Sequence, residues 1–77
     1  MINHTLTERE KQILKLIAQG LTNKSISRQL VIAEATVENH IHSIYEKLNI
    51  SNRSQATAYA FQNGLMALEN NKNEKHE

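Results

Sequence analysis

The stretch Thr36-Val-Glu-Asn-His-Ile-His-Ser-Ile-Tyr-Glu-Lys-Leu48 decides the fold. At about 100° per residue, a helix gathers Val37, Ile41, Ile44 and Leu48 into one narrow arc. Ala35, Asn39, His42 and Glu46 then fall almost opposite. That second face carries an amide, an imidazole and a carboxylate, and no large apolar side chain. A helix that is apolar behind and short and polar in front suits the reading of base edges. An ordinary solvated surface helix has the same pattern, and this segment by itself does not separate the two.

Outward from that helix, the chain is punctuated by helix caps. Thr7 followed by Glu10 forms a capping box, and Ile13, Leu14, Ile17 and Leu21 follow at helical spacing up to Gly20. A first helix is predicted over 8–19. Thr22 caps a short second helix over 23–30, with Ile26 and Leu30 inward. Val31, Ile32 and Ala33 make a tight connection without glycine, and the long third helix is predicted over 34–48. Asn49 stands where a left-handed residue is wanted. Asn52 and Gln55 repeat the cap-plus-three pattern and open a fourth helix over 53–63, closed by Gly64.

Composition agrees with an all-α, compact four-helix domain. Seventy-seven residues make one small domain, burying about 60% of its extended-chain surface. There is no cysteine and no proline, so disulfides and thiolate zinc sites are excluded and nothing interrupts the helices. No apolar run approaches the roughly 20 residues of a membrane span, and no signal peptide is visible, so a cytoplasmic, nucleoid-associated protein is expected. The net charge of +1 is low for a nucleic-acid module and implies few phosphate contacts per copy. From Glu69 onward the chain is polar and featureless, so residues 67–77 are expected to be a disordered tail, residues 1–5 an arm, and 6–66 the domain.

Two helices joined by a three-residue connection, the second longer and polar outside, form a helix-turn-helix pattern. The run Leu6-Thr-Glu-Arg-Glu10, then Ile13-Leu14, Ala18-Gln-Gly20, Asn23-Lys24, Ile26, Leu30, Thr36-Val37, His40, Ile44, Lys47-Leu48 and Asn52-Arg53 resembles the LuxR-type (GerE-like, NarL-like) DNA-binding domain. The match covers residues 6 to about 65 with its spacing preserved. That family supplies the output domain of many bacterial response regulators. The resemblance implies a transcription regulator that binds double-stranded DNA with its third helix in the major groove and dimerises through its fourth. The chain is expected to be output only, either a piece of a larger regulator or a small stand-alone one.

This sequence departs from the family pattern in places. Alanine stands at Ala33, where a serine usually caps the third helix, and Glu38 stands where a basic residue is common. Glu38 cannot favour a phosphate, but it can accept from a cytosine amino group. Any inherited target sequence is therefore in doubt.

Base reading is assigned to Glu38, Asn39 and His42, and phosphate contact to Asn23, Lys24, Thr36, Ser43 and Lys47. Thr57, Ala58, Phe61 and Leu65 are expected on the outer side of the fourth helix as a homodimer surface, with Ala56 and Ala60 inward. A competing reading folds Phe61 back onto the first helix as core. His40 sits at the edge of the apolar arc, as suited to a partly buried hydrogen bond as to DNA. Arg53 is open between a carboxylate and a phosphate partner. His40 and His42 diverge by about 200° on a helix and cannot share a metal ion, so no metal, cofactor or small-molecule ligand is expected. RNA polymerase is a further candidate partner, and no membrane contact is expected.

No catalytic constellation is present. The chain has no aspartate, no glycine-rich phosphate loop and no hydroxyl beside a base on one face. A second functional class remains: a protein-interaction adaptor on the same scaffold, working through the fourth helix. Low net charge and Glu38 favour it, and salt-dependent binding to a random duplex separates the two.

Overall fold

Three of the four helices start on a side chain that reaches back to them, and each is followed within two residues by one that turns left. The computed structural model describes residues 5–65. These form α1 (Glu8–Ala18), α2 (Asn23–Leu30), α3 (Glu34–Leu48) and α4 (Arg53–Gln62), with no strand among the described residues. The observed ends fall within one residue of those read from the caps. The expected tail over 67–77 and most of the N-terminal arm lie outside the described residues.

The N-terminal caps are chemical and local. Thr7 Oγ1 accepts from the Glu10 amide at 3.1 Å, and Glu10 Oε1 accepts from the Thr7 amide at 2.9 Å, completing the box. Thr22 Oγ1 accepts from the Ser25 amide, and Asn52 Oδ1 from the Gln55 amide. Ala33 has the same extended backbone as these caps but no side-chain bond to α3.

The C-terminal ends repeat one device. Gly20, Val31 and Asn49 all have φ near +60° or above, and the next residue's amide bonds back to the last turn. These bonds run from Leu21 to the Leu16 carbonyl, from Ile32 to Ser27 and from Ile50 to Tyr45, at 3.1, 3.0 and 3.0 Å. Leu21, Ile32 and Ile50 are apolar and pack on the core, so each left turn folds a hydrophobic residue over the helix it ends. Gly64 (φ 80°) does the same for α4 and delivers Leu65 to the core. Leu65 was expected on the outer dimer surface. The left-handed glycine before it sends it inward instead.

The core is a single cluster. Ile13, Leu14 and Ile17 of α1 meet Ile26 of α2, Val37, Ile41 and Ile44 of α3, and Ala56 and Ala60 of α4. α1 packs on both α3 and α4, and α2 packs on α3. The two alanines present little side chain between α4 and α1, and Phe61 is left 56% exposed rather than folded onto α1. No helix among the described residues is long and apolar enough to cross a membrane.

Val31 is the strained member of this set. A β-branched residue in the left-handed region is held at a cost of about 1–2 kcal/mol, and the residue is 87% exposed, so little packing compensates it. Val31→Gly and Ala33→Ser should each stabilise the domain, by roughly 1 kcal/mol and roughly 0.5–2 kcal/mol. Thermal melts should rise by about 4–8 °C per kcal/mol in a domain this size. An unchanged or lowered melting temperature would mean that the turn is held in another conformation.

Candidate nucleic-acid interface

The outer row of α3 is polar because its apolar residues are consumed by the core. Val37, Ile41 and Ile44 are buried behind it, and Leu48 is half-buried. Glu34, Ala35, Thr36, Glu38, Asn39, His42 and Glu46 are exposed. The expected base-reading residues Glu38, Asn39 and His42 therefore lie on one accessible face. His42 Nε2 stands 3.4 Å from Glu46 Oε2, an exposed pair that is ionic only when the histidine is protonated. His40 is half-buried at the border of the apolar arc.

α2 packs on α3 and carries exposed cations. Lys24 is exposed in its first turn, which contains no acidic residue, and Arg28 is exposed in its last. Asn23 is half-buried, and its Oδ1 accepts from Arg53 Nη1 at 2.8 Å. Arg53 Nη2 also donates to the Leu21 carbonyl at 2.6 Å. Of the partners considered from sequence, Arg53 has no carboxylate among the described residues; its guanidinium takes an amide and a backbone oxygen.

Two expected phosphate contacts turn inward. Ser43 Oγ donates to Glu10 Oε2 at 2.8 Å, and Lys47 Nζ donates to Glu10 Oε1 at 2.8 Å and to the Thr5 carbonyl at 3.3 Å. Both side chains leave α3 toward the start of α1, where a buried carboxylate needs donors. Their role as phosphate contacts is corrected accordingly: they hold α3 against α1. The capping role read for Glu10 is present, but the same carboxylate also carries this longer-range tie, which no local pattern signals.

Burial alone would raise the Glu10 pKa. The Lys47 hydrogen bond, the Thr7 amide, the Ser43 hydroxyl and the charge of Lys47 outweigh it and hold the group at about 2, against an ordinary 4.5. With Lys47 neutralised internally, the exposed side of α3 carries Glu34, Glu38 and Glu46 and no lysine or arginine. The positive groups sit beside it, on α2. Among the described residues, no cluster of His, Asp or Glu could hold a metal ion.

On α4, Phe61 and Ala58 are exposed and Thr57 is half-buried, so three of the four expected dimer residues share an accessible side. Leu65 does not join them.

Residues 4–60 match the family of bacterial regulatory proteins described as the luxR family (GerE). The chain belongs to this family. It is a family of DNA-binding transcription regulators, not of enzymes. The transcriptional regulatory protein LiaR of Bacillus subtilis is 48% identical over 64 residues, covering 83% of this chain and 30% of LiaR. The response regulator VraR of Staphylococcus aureus is 46% identical over 61 residues, covering 79% of this chain and 29% of VraR. Among solved structures, that of the response regulator ChrA from a heme-sensing two-component system is 40% identical, with a TM-score of 0.78 over 84% of this chain and 32% of ChrA. The chain thus spans about 30% of the length of the relatives it matches.

The Glu10 tie has a pH signature. Because its folded-state pKa lies below the unfolded value, its contribution is complete above about 4.5 and is lost as the pH falls toward about 2. The loss should be on the order of 3 kcal/mol. Urea unfolding of the unaltered chain and of Glu10→Gln across that window should give curves that converge at low pH. Parallel curves would show that the carboxylate titrates elsewhere.

Proposed function

We propose that this chain is the sequence-specific DNA-reading output domain of a transcription regulator, with α3 in the major groove. The observation that carries this reading is the accessible row Glu38, Asn39 and His42 over a largely buried apolar back, with Lys24 exposed in the first turn of α2, which packs on α3. Asn39 pairs with adenine, Glu38 accepts from cytosine and His42 donates to guanine. Lys24, Asn23 and Thr36 take the flanking phosphates. Asn39→Ala should relax preference at one base pair, by about 1–3 kcal/mol, while Lys24→Ala weakens all sequences alike and lowers the salt slope by about one. Titrations of specific and random duplexes at several salt concentrations check this. Equal losses on both duplexes for Asn39→Ala would remove it from base reading.

The domain works as a two-fold dimer through the exposed side of α4. An aromatic ring beside Ala58 and Thr57 makes a small patch that self-association would cover, placing two recognition helices about one DNA turn apart. Such a patch is too small for a stable free dimer, so assembly depends on DNA. Phe61→Asp should leave the fold and single-site binding unchanged and abolish cooperativity on a duplex with two half-sites. Retained cooperativity would place the interface elsewhere.

The acidic front of α3 favours a second reading, an adaptor that has lost its hold on DNA and acts through α4. The two readings part on a random duplex. A DNA binder shows binding that weakens steeply with added salt, and an adaptor shows none.

A further inference from the structure

Arg53 occupies a place where a cation is electrostatically unwelcome. It is the first residue of α4, at the positive end of that helix, and it reaches the first turn of α2, another positive end. Neither first turn contains an acidic residue. What holds the guanidinium there is geometry: its planar fork takes the Leu21 carbonyl at 2.6 Å and Asn23 Oδ1 at 2.8 Å. α4 packs on α1 and α2 packs on α3, so α2 and α4 share little helix-to-helix packing. The fork is the side-chain bridge between their starts.

The bridge has a consequence for Asn23. A side-chain amide has one oxygen that accepts and one nitrogen that donates twice. With Oδ1 taken by Arg53, the half-buried amide is left with its Nδ2 donor, which meets no acceptor among the described residues, next in the chain to exposed Lys24. A free asparagine could offer a phosphate either end, and its oxygen end would repel it. We propose that Arg53 is a positioning residue of the DNA interface: it fixes Asn23 with its donor toward a backbone phosphate, without touching the phosphate itself. This rests on the DNA-binding reading above.

The test separates charge from geometry. In the full 77-residue chain, Arg53→Lys keeps the charge and loses the fork, Arg53→Met loses both, and Asn23→Ala removes the positioned group. Binding to a random duplex is followed by fluorescence anisotropy across a salt series, with circular dichroism to establish folding. Arg53→Lys should weaken binding roughly threefold to tenfold, as for one hydrogen bond, with an unchanged salt slope. Combined with Asn23→Ala, it should cost no more than Asn23→Ala alone. Arg53→Lys binding like the unaltered chain, or losses that add, would overturn the positioning role; so would normal binding by Arg53→Lys with a salt slope reduced by about one in Arg53→Met, which marks a direct phosphate contact. If Arg53→Lys does not fold, the side-chain amide resonances of Asn23 in the unaltered chain decide. They should shift on adding duplex, and unmoved resonances overturn the proposal. An unaltered chain that binds no duplex defeats the DNA reading and this role together, whereas a normal Arg53→Lys in a binding chain defeats this role alone.

Discussion

A single carboxylate holds the angle between the first and third helices. Glu10 is almost fully buried, and its two oxygens are shared among the Thr7 amide, the Ser43 hydroxyl and the Lys47 ammonium. A charge removed from water to this degree is stable only where donors surround it, and two of these three come from α3, the third from the cap residue before α1. The hydrophobic cluster beneath is not directional and would tolerate α3 sliding on α1. The carboxylate does not tolerate it, because a slide of one turn would separate Ser43 and Lys47 from it together. The rest of the arrangement follows: α2 rides on α3, α4 rides on α1, and the polar row of α3 is aimed by what its back and its C-terminal half are fastened to.

The helix ends supply a second constraint, and they do so cheaply. A left-handed residue followed by an apolar one recurs at Gly20-Leu21, Val31-Ile32, Asn49-Ile50 and Gly64-Leu65. Each pair stops a helix and returns the chain to the core within two residues. In a chain without proline, this is how short helices are kept short.

Much of the fold was legible because its signals are local. Thr7 with Glu10, Thr22, Asn49 and Asn52 are chemical punctuation readable within a few residues, and the period of Val37, Ile41 and Ile44 names the buried side of α3. The left-handed turn at Val31 was not legible, since local preference argues against valine there. It is held by the Ile32 amide and by Ile32 reaching the core. The inward turn of Ser43 and Lys47 and the Arg53–Asn23 bridge were not legible either. Those contacts join residues 30 to 37 positions apart, and helical periodicity states which face a residue takes but not what stands opposite. Lys47 lies at the edge of the outer row by angle alone, and only its partner shows that its charge is paired with the buried Glu10 carboxylate.

With Lys47 turned inward, the domain presents an acidic α3 front and an α2 that carries Lys24 and Arg28, a lateral separation of charge. If the domain reads DNA as proposed, a duplex would attract the α2 edge and repel the α3 front, so encounters would arrive pre-oriented and be short-lived unless base contacts formed. A regulator works against about 10⁶–10⁹ competing genomic sites, and its occupancy depends on how seldom it lingers on them as much as on how tightly it holds its own. On the proposed reading, pairing Lys47 with Glu10 would shorten the search: the domain would give up grip on the wrong sequence and leave discrimination to the few side chains set toward the groove.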